Sequence, residues 1–212
     1  FDISAACSGF VYALSVADAM VRTGQASGVL VIGSEVYSRI MNWADRGTCV
    51  LFGDGAGAAF VRVADGADEA GGRGILSTHL HADGTLGDLL YVDGAVGRAD
   101  RPGHLVMNGR EVFRHAVTKL AGAVDEALAA NGLAQADVDW LVPHQANRRI
   151  IDAMGRKLGL PPERVIVTVD RHNVAWVLQI VPSSKIGPFK SVRDAEAARQ
   201  ELAAAAGERA LQ

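Results

Sequence analysis

Apolar positions change period twice in the first third of the chain. Phe10, Leu14, Ala17 and Val21 recur at helical spacing within CSGFVYALSVADAMVRTGQ, and Gly24 is placed to stop that helix. The runs GVLVIGSEV (28–36) and GAAFVRVA (57–64) are β-branched and short, as buried strands are. Residues 1–4 have the pattern of a strand end. From Asp65 to Gly74 the chain turns polar and rich in Gly and Asp, which predicts a boundary between two half-domains.

A second set of elements follows. ILSTHLHADG predicts a strand. Asn108 with Glu111 three residues on has capping-box spacing, and Val112, Ala116, Leu120, Val124 and Leu128 form the buried stripe of the helix it opens. Asn131-Gly132 ends that helix. VDWLVP predicts a strand, NRRIIDAMGRKLG a helix and RVIVTVD a strand. Helices alternating with nearly continuous apolar strands predict an α/β fold with a mostly parallel sheet. Beyond residue 173 the rhythm changes: VAWVLQIVP suits one more strand, PSSKIGPFK a loop, and the Ala/Glu/Arg-rich end a helix with a thin apolar stripe.

Composition narrows the class. The 212 residues are 49% hydrophobic and 21% charged with a formal net charge of −3, which suits a globular domain and argues against nucleic acid as a partner. No apolar run approaches the length that spans a bilayer, and the start lacks a basic-then-apolar signal pattern, so no membrane partner is expected. Two cysteines, Cys7 and Cys49, make no disulfide framework, and a reducing cytoplasm is the expected location. The first residue, Phe1, opens directly inside a strand-like run, the pattern of a fragment.

Two residues are placed for chemistry. Cys7 follows a strand end and stands in the first turn of a helix, where backbone N–H groups and the dipole favour a thiolate; the alternative is a small buried apolar side chain. His144 ends the strand DWLVP, at the sheet end where α/β folds collect ligands, or is an ordinary loop histidine. His79 and His81 alternate along a predicted strand, but no further His or Cys follows at a metal-ligand spacing, so no metal site is expected. FGDGAGAAF lacks the Lys-Ser/Thr of a phosphate loop and the spacing of a dinucleotide fingerprint; close backbone packing explains its glycines. Arg114, Arg148, Arg149, Arg156 and Lys157 make the second half basic, either as a solvated surface or as a dock for an acidic partner.

DISAACSGF, RGTCVLFGDGAGAA, MNGREVF, DWLVPHQANRRI and VIVTVDRH occur in this order. Together they closely resemble 3-oxoacyl-[acyl-carrier-protein] synthase III, a thiolase-like condensing enzyme family, from Phe1 to about His172. The resemblance implies layered α-β-α-β-α architecture in two similar halves. It implies a decarboxylative Claisen condensation that initiates type II fatty-acid synthesis, with acyl-CoA as a substrate and no cofactor. Cys7 matches the nucleophile and His144 the histidine that holds the malonyl thioester oxygen. Arg46 matches a contact with the nucleotide end of CoA, and Gly109 and Asn147 positions near the pantetheine arm. Arg114, Arg149, Arg156 and Lys157 match the face that receives the acyl carrier protein, and the intact family implies a homodimer.

The pattern departs from the family at two places. The part that precedes the nucleophile strand in the family has no counterpart, so an incomplete first half is expected. After Asp-Arg-His the family has one small residue and then the catalytic asparagine; here Asn173 comes directly after His172, and Val174 takes the asparagine's place. Asn173 is therefore the third catalytic candidate, one position early. The expected organisation is a first half with Cys7 over 1–66, a second with His144 over 67–173, and a non-matching tail over 174–212. Two other readings accompany the synthase: an inactive fragment or pseudoenzyme of the family, and a condensing enzyme of the type III polyketide synthase kind.

Overall fold

The computed structural model describes residues 1–64, 74–94 and 103–169, and the backbone of Gln179–Pro182. Helix α1 (Gly9–Arg22) buries Ala17 and Val21, two members of the predicted stripe, and lies against strand β1 (Gly28–Glu35). Strand β2 (Gly55–Arg62) returns antiparallel along β1, pairing Gly28 with Arg62 and Glu35 with Gly55. Side chains alternate across such a pair. Val31 is buried, whereas Leu30, Ile32 and the Leu30 partner Phe60 are 59%, 62% and 65% exposed on the other side. The Phe60 ring lies over Gly28, where a Cβ would stand 2.4 Å from its Cζ, so the glycine makes room for the aromatic.

Strands β3 (Leu90–Val92) and β4 (Leu105–Met107) form a second antiparallel pair. Leu105 N–H donates to the Ile40 carbonyl at 2.8 Å, which ties this pair to the turn after β1.

The densest core belongs to the second half. Helix α2 (Gly109–Ala130) starts where its cap predicts, with the Asn108 side chain accepting the Glu111 N–H at 3.4 Å. Its Ala121, Val124 and Leu128 pack with Val138 and Leu141 of strand β5 (Val138–Val142) and with Ile150, Met154 and Leu158 on and just after helix α3 (Arg148–Lys157). Leu141 and Met154 are fully buried. Burial of such side chains stabilises by roughly 1.5–3 kcal/mol each. Gly155 lets α3 approach closely, because a Cβ there would meet Val165 Cγ2 at 3.0 Å.

Mixed helix and strand agree with the expected α/β class, but four details of the sequence reading do not hold. Residues 1–4 form no strand and lead as an irregular segment into the Cys7 turn. Among the described residues the ladders are antiparallel, and parallel pairing occurs only as an isolated bridge, Leu141 to Val165, across the β5–α3 crossover. ILSTHLHADG is not a strand. Its side chains take the partners instead: His79 and His81 both bond the Glu126 carboxylate on α2, at 3.0 and 2.7 Å, and Ser77 accepts from Asn131 at 2.7 Å. Among its described residues, RVIVTVD reaches strand geometry only at the Val165 bridge, because the N–H groups of Thr168 and Val169 turn to the Gln145 side chain rather than to a neighbouring strand.

The expected strand in VAWVLQIVP is seen over its last four residues as β6 (Gln179–Pro182), antiparallel to β5 with a register shift between Val138 and Trp140. His172, Asn173 and the C-terminal helix expectation lie outside the described residues. Among the described residues, no helix is long and apolar enough to cross a membrane.

Candidate active site

Cys7 sits in a 3-10 turn, Ala6–Ser8, that runs directly into α1. Ala6 has φ +46°, a left-handed conformation rare for a residue with a Cβ, so the chain bends sharply just before the cysteine. The thiol faces a pocket of about 330 Å³ lined mainly by apolar side chains. Three stretches build it: the cysteine turn, the end of β1 with Glu35, Val36, Tyr37 and Ile40, and the β3–β4 pair with Leu90 and Leu105.

The electrostatics differ from the sequence expectation. Position at a helix start favours a thiolate, but burial pushes the Cys7 thiol above its ordinary range, and the Glu35 carboxylate pushes in the same direction. A hydrogen bond from Tyr37 opposes them. The Tyr37 phenol is itself driven well above its usual range by burial and then by Cys7, so it remains a protonated donor.

Tyr37 is held from two sides. Its ring stacks on Phe52, with centroids 5.2 Å apart at 29°. The next residue, Ser38, donates both its N–H and its hydroxyl to Asp54, at 2.7 and 2.6 Å. Those bonds hold the Asp54 carboxyl below its usual range. Sequence reasoning gave Asp54 and Tyr37 no role; the only sequence signal was Asp54 within the glycine-rich FGDGAG.

His144 is half-buried at the C-terminal end of β5, between Pro143 and Gln145, which are both buried. It is not among the residues lining the Cys7 pocket. Gln145, 2% exposed, is fully bonded: Nε2 donates to the Pro143 and Ile166 carbonyls, and Oε1 accepts from Thr168 and Val169.

Asn147 caps α3, its side chain accepting the Arg149 N–H at 2.9 Å. Arg46 is exposed in the turn after β1, and Gly109 is the exposed first residue of α2. Arg114 bonds Glu111 at 2.6 Å on the surface of α2, while Arg149, Arg156 and Lys157 are exposed on α3. Among the described residues, no group of three or more His, Cys, Asp or Glu is arranged to hold a metal ion.

A cysteine on a strained turn before a helix, and a histidine at a strand end followed by a capped helix, are what the motif order leads one to expect. A family model for 3-oxoacyl-[acyl-carrier-protein] synthase III matches residues 1–84, and the model for the C-terminal part of the same family matches 128–175. The chain belongs to this family. The chain is 74% identical over 172 residues to a beta-ketoacyl-[acyl-carrier-protein] synthase III of Acidiphilium cryptum, covering 81% of this chain and 53% of the relative. A synthase III of Granulibacter bethesdensis is 68% identical over the same shares. The crystal structure of a synthase III from Thermus thermophilus, 46% identical, aligns with TM-score 0.72 over 81% of this chain and 53% of that one. The chain therefore spans about half the length of the curated relatives it matches, and the family's thiolase-like fold is represented here in part.

Proposed function

We propose that the protein catalyses the condensation of a short acyl-CoA with malonyl-[acyl-carrier-protein], giving 3-oxoacyl-[acyl-carrier-protein] at the start of type II fatty-acid synthesis. The observation that carries this reading is Cys7 on its strained turn, facing an apolar pocket of about 330 Å³. In the first step the Cys7 thiolate attacks the acyl-CoA thioester carbonyl, the carbon–sulfur bond to CoA breaks, and CoA leaves as a thiol after taking up a proton. In the second, malonyl on the carrier loses carbon dioxide, and the resulting carbanion attacks the acyl-Cys7 thioester, releasing the cysteine sulfur. His144 stabilises negative charge on the malonyl thioester oxygen, and Asn173 is the third member of the set.

Arg46, Gly109 and Asn147 receive CoA and the pantetheine arm. Arg114, Arg149, Arg156 and Lys157 receive the acidic carrier protein, where charge steering speeds a brief encounter. The active species is a cytoplasmic homodimer that needs no cofactor.

A second reading, an inactive fragment or pseudoenzyme of the family, is favoured by Asn173 standing directly after His172 with Val174 in the position expected for the catalytic asparagine. The two are separated by incubating folded protein with radiolabelled acetyl-CoA and mapping the label. Label on Cys7, lost in Cys7→Ser, supports the synthase; a folded chain that takes none sinks it. Condensation of the labelled protein with malonyl-[acyl-carrier-protein] then tests His144 separately.

A further inference from the structure

The backbone entering His144 is held by a side chain rather than by a ladder. Val165 bridges Leu141 of β5 in parallel, and the Ile166 N–H donates to the Leu141 carbonyl at 2.9 Å. Two residues beyond Leu141, Pro143 has no N–H with which to continue such pairing. There the Gln145 amide takes its place. Its Nε2 donates to the Pro143 carbonyl at 2.9 Å and to the Ile166 carbonyl at 3.1 Å. Its Oε1 accepts the N–H groups of Thr168 and Val169 at 2.6 and 3.1 Å. Both amide hydrogens and both oxygen lone pairs are used, so the amide stands only this way round. Gln145 is buried, and a methionine would fill the same length without the desolvation cost of an amide.

We propose that Gln145 is a positioning residue for His144: its amide grips the peptide that enters the histidine and ties it to residues 166–169. The inference rests on His144 being the group that stabilises the malonyl thioester oxygen. The carbonyl held by Nε2 belongs to the Pro143–His144 peptide, and Gln145 itself supplies the peptide on the other side. The side chain thus closes a ring on its own backbone, and His144 is the residue enclosed. Buried Pro143 and buried Gln145 flank it while His144 stays half-buried, so the imidazole projects from a Cα fixed on both sides. Asn147 fixes the chain as it leaves, by capping α3 through the Arg149 N–H at 2.9 Å. A group that stabilises an oxyanion needs this fixity, because it acts without reorganising as the charge develops.

The test is modification of the whole chain with diethyl pyrocarbonate across pH, with the plateau rate of the neutral imidazole followed separately on the peptides of His144 and His104. Gln145→Met keeps the length and removes the bonds; Gln145→Leu decides where Gln145→Met does not fold. The expected result is a rise in the His144 rate of about five-fold, the size that one lost hydrogen bond gives, with His104 unchanged. Val124→Ala loosens the same core from α2 without touching Gln145 and should leave both rates as they are. In condensation, Gln145→Met should lower kcat by a similar factor at unchanged KM for malonyl-[acyl-carrier-protein]. An unchanged His144 rate overturns the proposal, and so does an equal rise in Val124→Ala. Because diethyl pyrocarbonate needs neither acyl-CoA nor carrier, failure of the synthase reading and failure of the Gln145 effect are separate results.

Discussion

The Gln145 side chain accepts the backbone N–H of Thr168 at 2.6 Å. With Val169 N–H and the carbonyls of Pro143 and Ile166 also bonded, one buried amide does the work of a missing strand partner next to His144. Gln145→Leu keeps the bulk and orphans those backbone groups. An unsatisfied buried group costs about 1–3 kcal/mol. We expect a loss of about 3 kcal/mol in denaturant unfolding, with faster amide exchange at Thr168 and Val169. Gln145→Leu with wild-type stability would show that the bonds contribute nothing net.

Asp83 gives the chain an acid-sensitive tie to α2. A bond from the Lys119 ammonium at 2.6 Å, then one from Thr85, lowers its carboxyl to about 2. A carboxylate lowered on folding stabilises fully above its ordinary value of about 3.9 and loses that contribution as pH falls toward the folded value. The melting temperature of the wild type should therefore drop more steeply between pH 5 and 2 than that of Asp83→Asn. Parallel curves would remove Asp83 from the account.

Asn147 has a capping task that is independent of any ligand. Asn147→Ala should cost about 1 kcal/mol, whereas Asn147→Ser, which can still accept the helix N–H, should restore most of it. A pantetheine role would appear as a loss of acyl-CoA affinity in both variants. Equal thermal stability of Ala and Ser variants would refute the cap.

The exposed face of the β1–β2 pair is a solubility determinant. Leu30, Ile32 and Phe60 stand together on it, and apolar patches on strands promote association. Ile32→Lys should lower binding of a hydrophobic dye and raise the concentration at which light scattering appears, with little change in unfolding midpoint. A variant that unfolds instead would mean that Ile32 is packed.

Helix α2 was legible from the sequence at both ends, because an Asn cap with Glu111 and a terminal Asn-Gly act locally. Strand β1 was legible from its β-branched run. Residues 168 and 169 were not, since their N–H groups go to a single side chain upstream, and an apolar alternation does not say whether a ladder exists. Cys7 and His144 stand out through their neighbours in sequence. Tyr37 does not: its meaning arises only where the turn after β1, the loop carrying Phe52 and the start of α1 converge.

The left-handed Ala6 has a consequence beyond the pocket. That torsion costs about 1–2 kcal/mol for a residue with a Cβ and persists only where the surroundings enforce it. Glycine would relieve it and let the turn wander; valine or isoleucine would refuse it altogether. The aim of the sulfur is thus a backbone property written one residue upstream, and a lineage can lose the chemistry by a mutation that alters no reactive group.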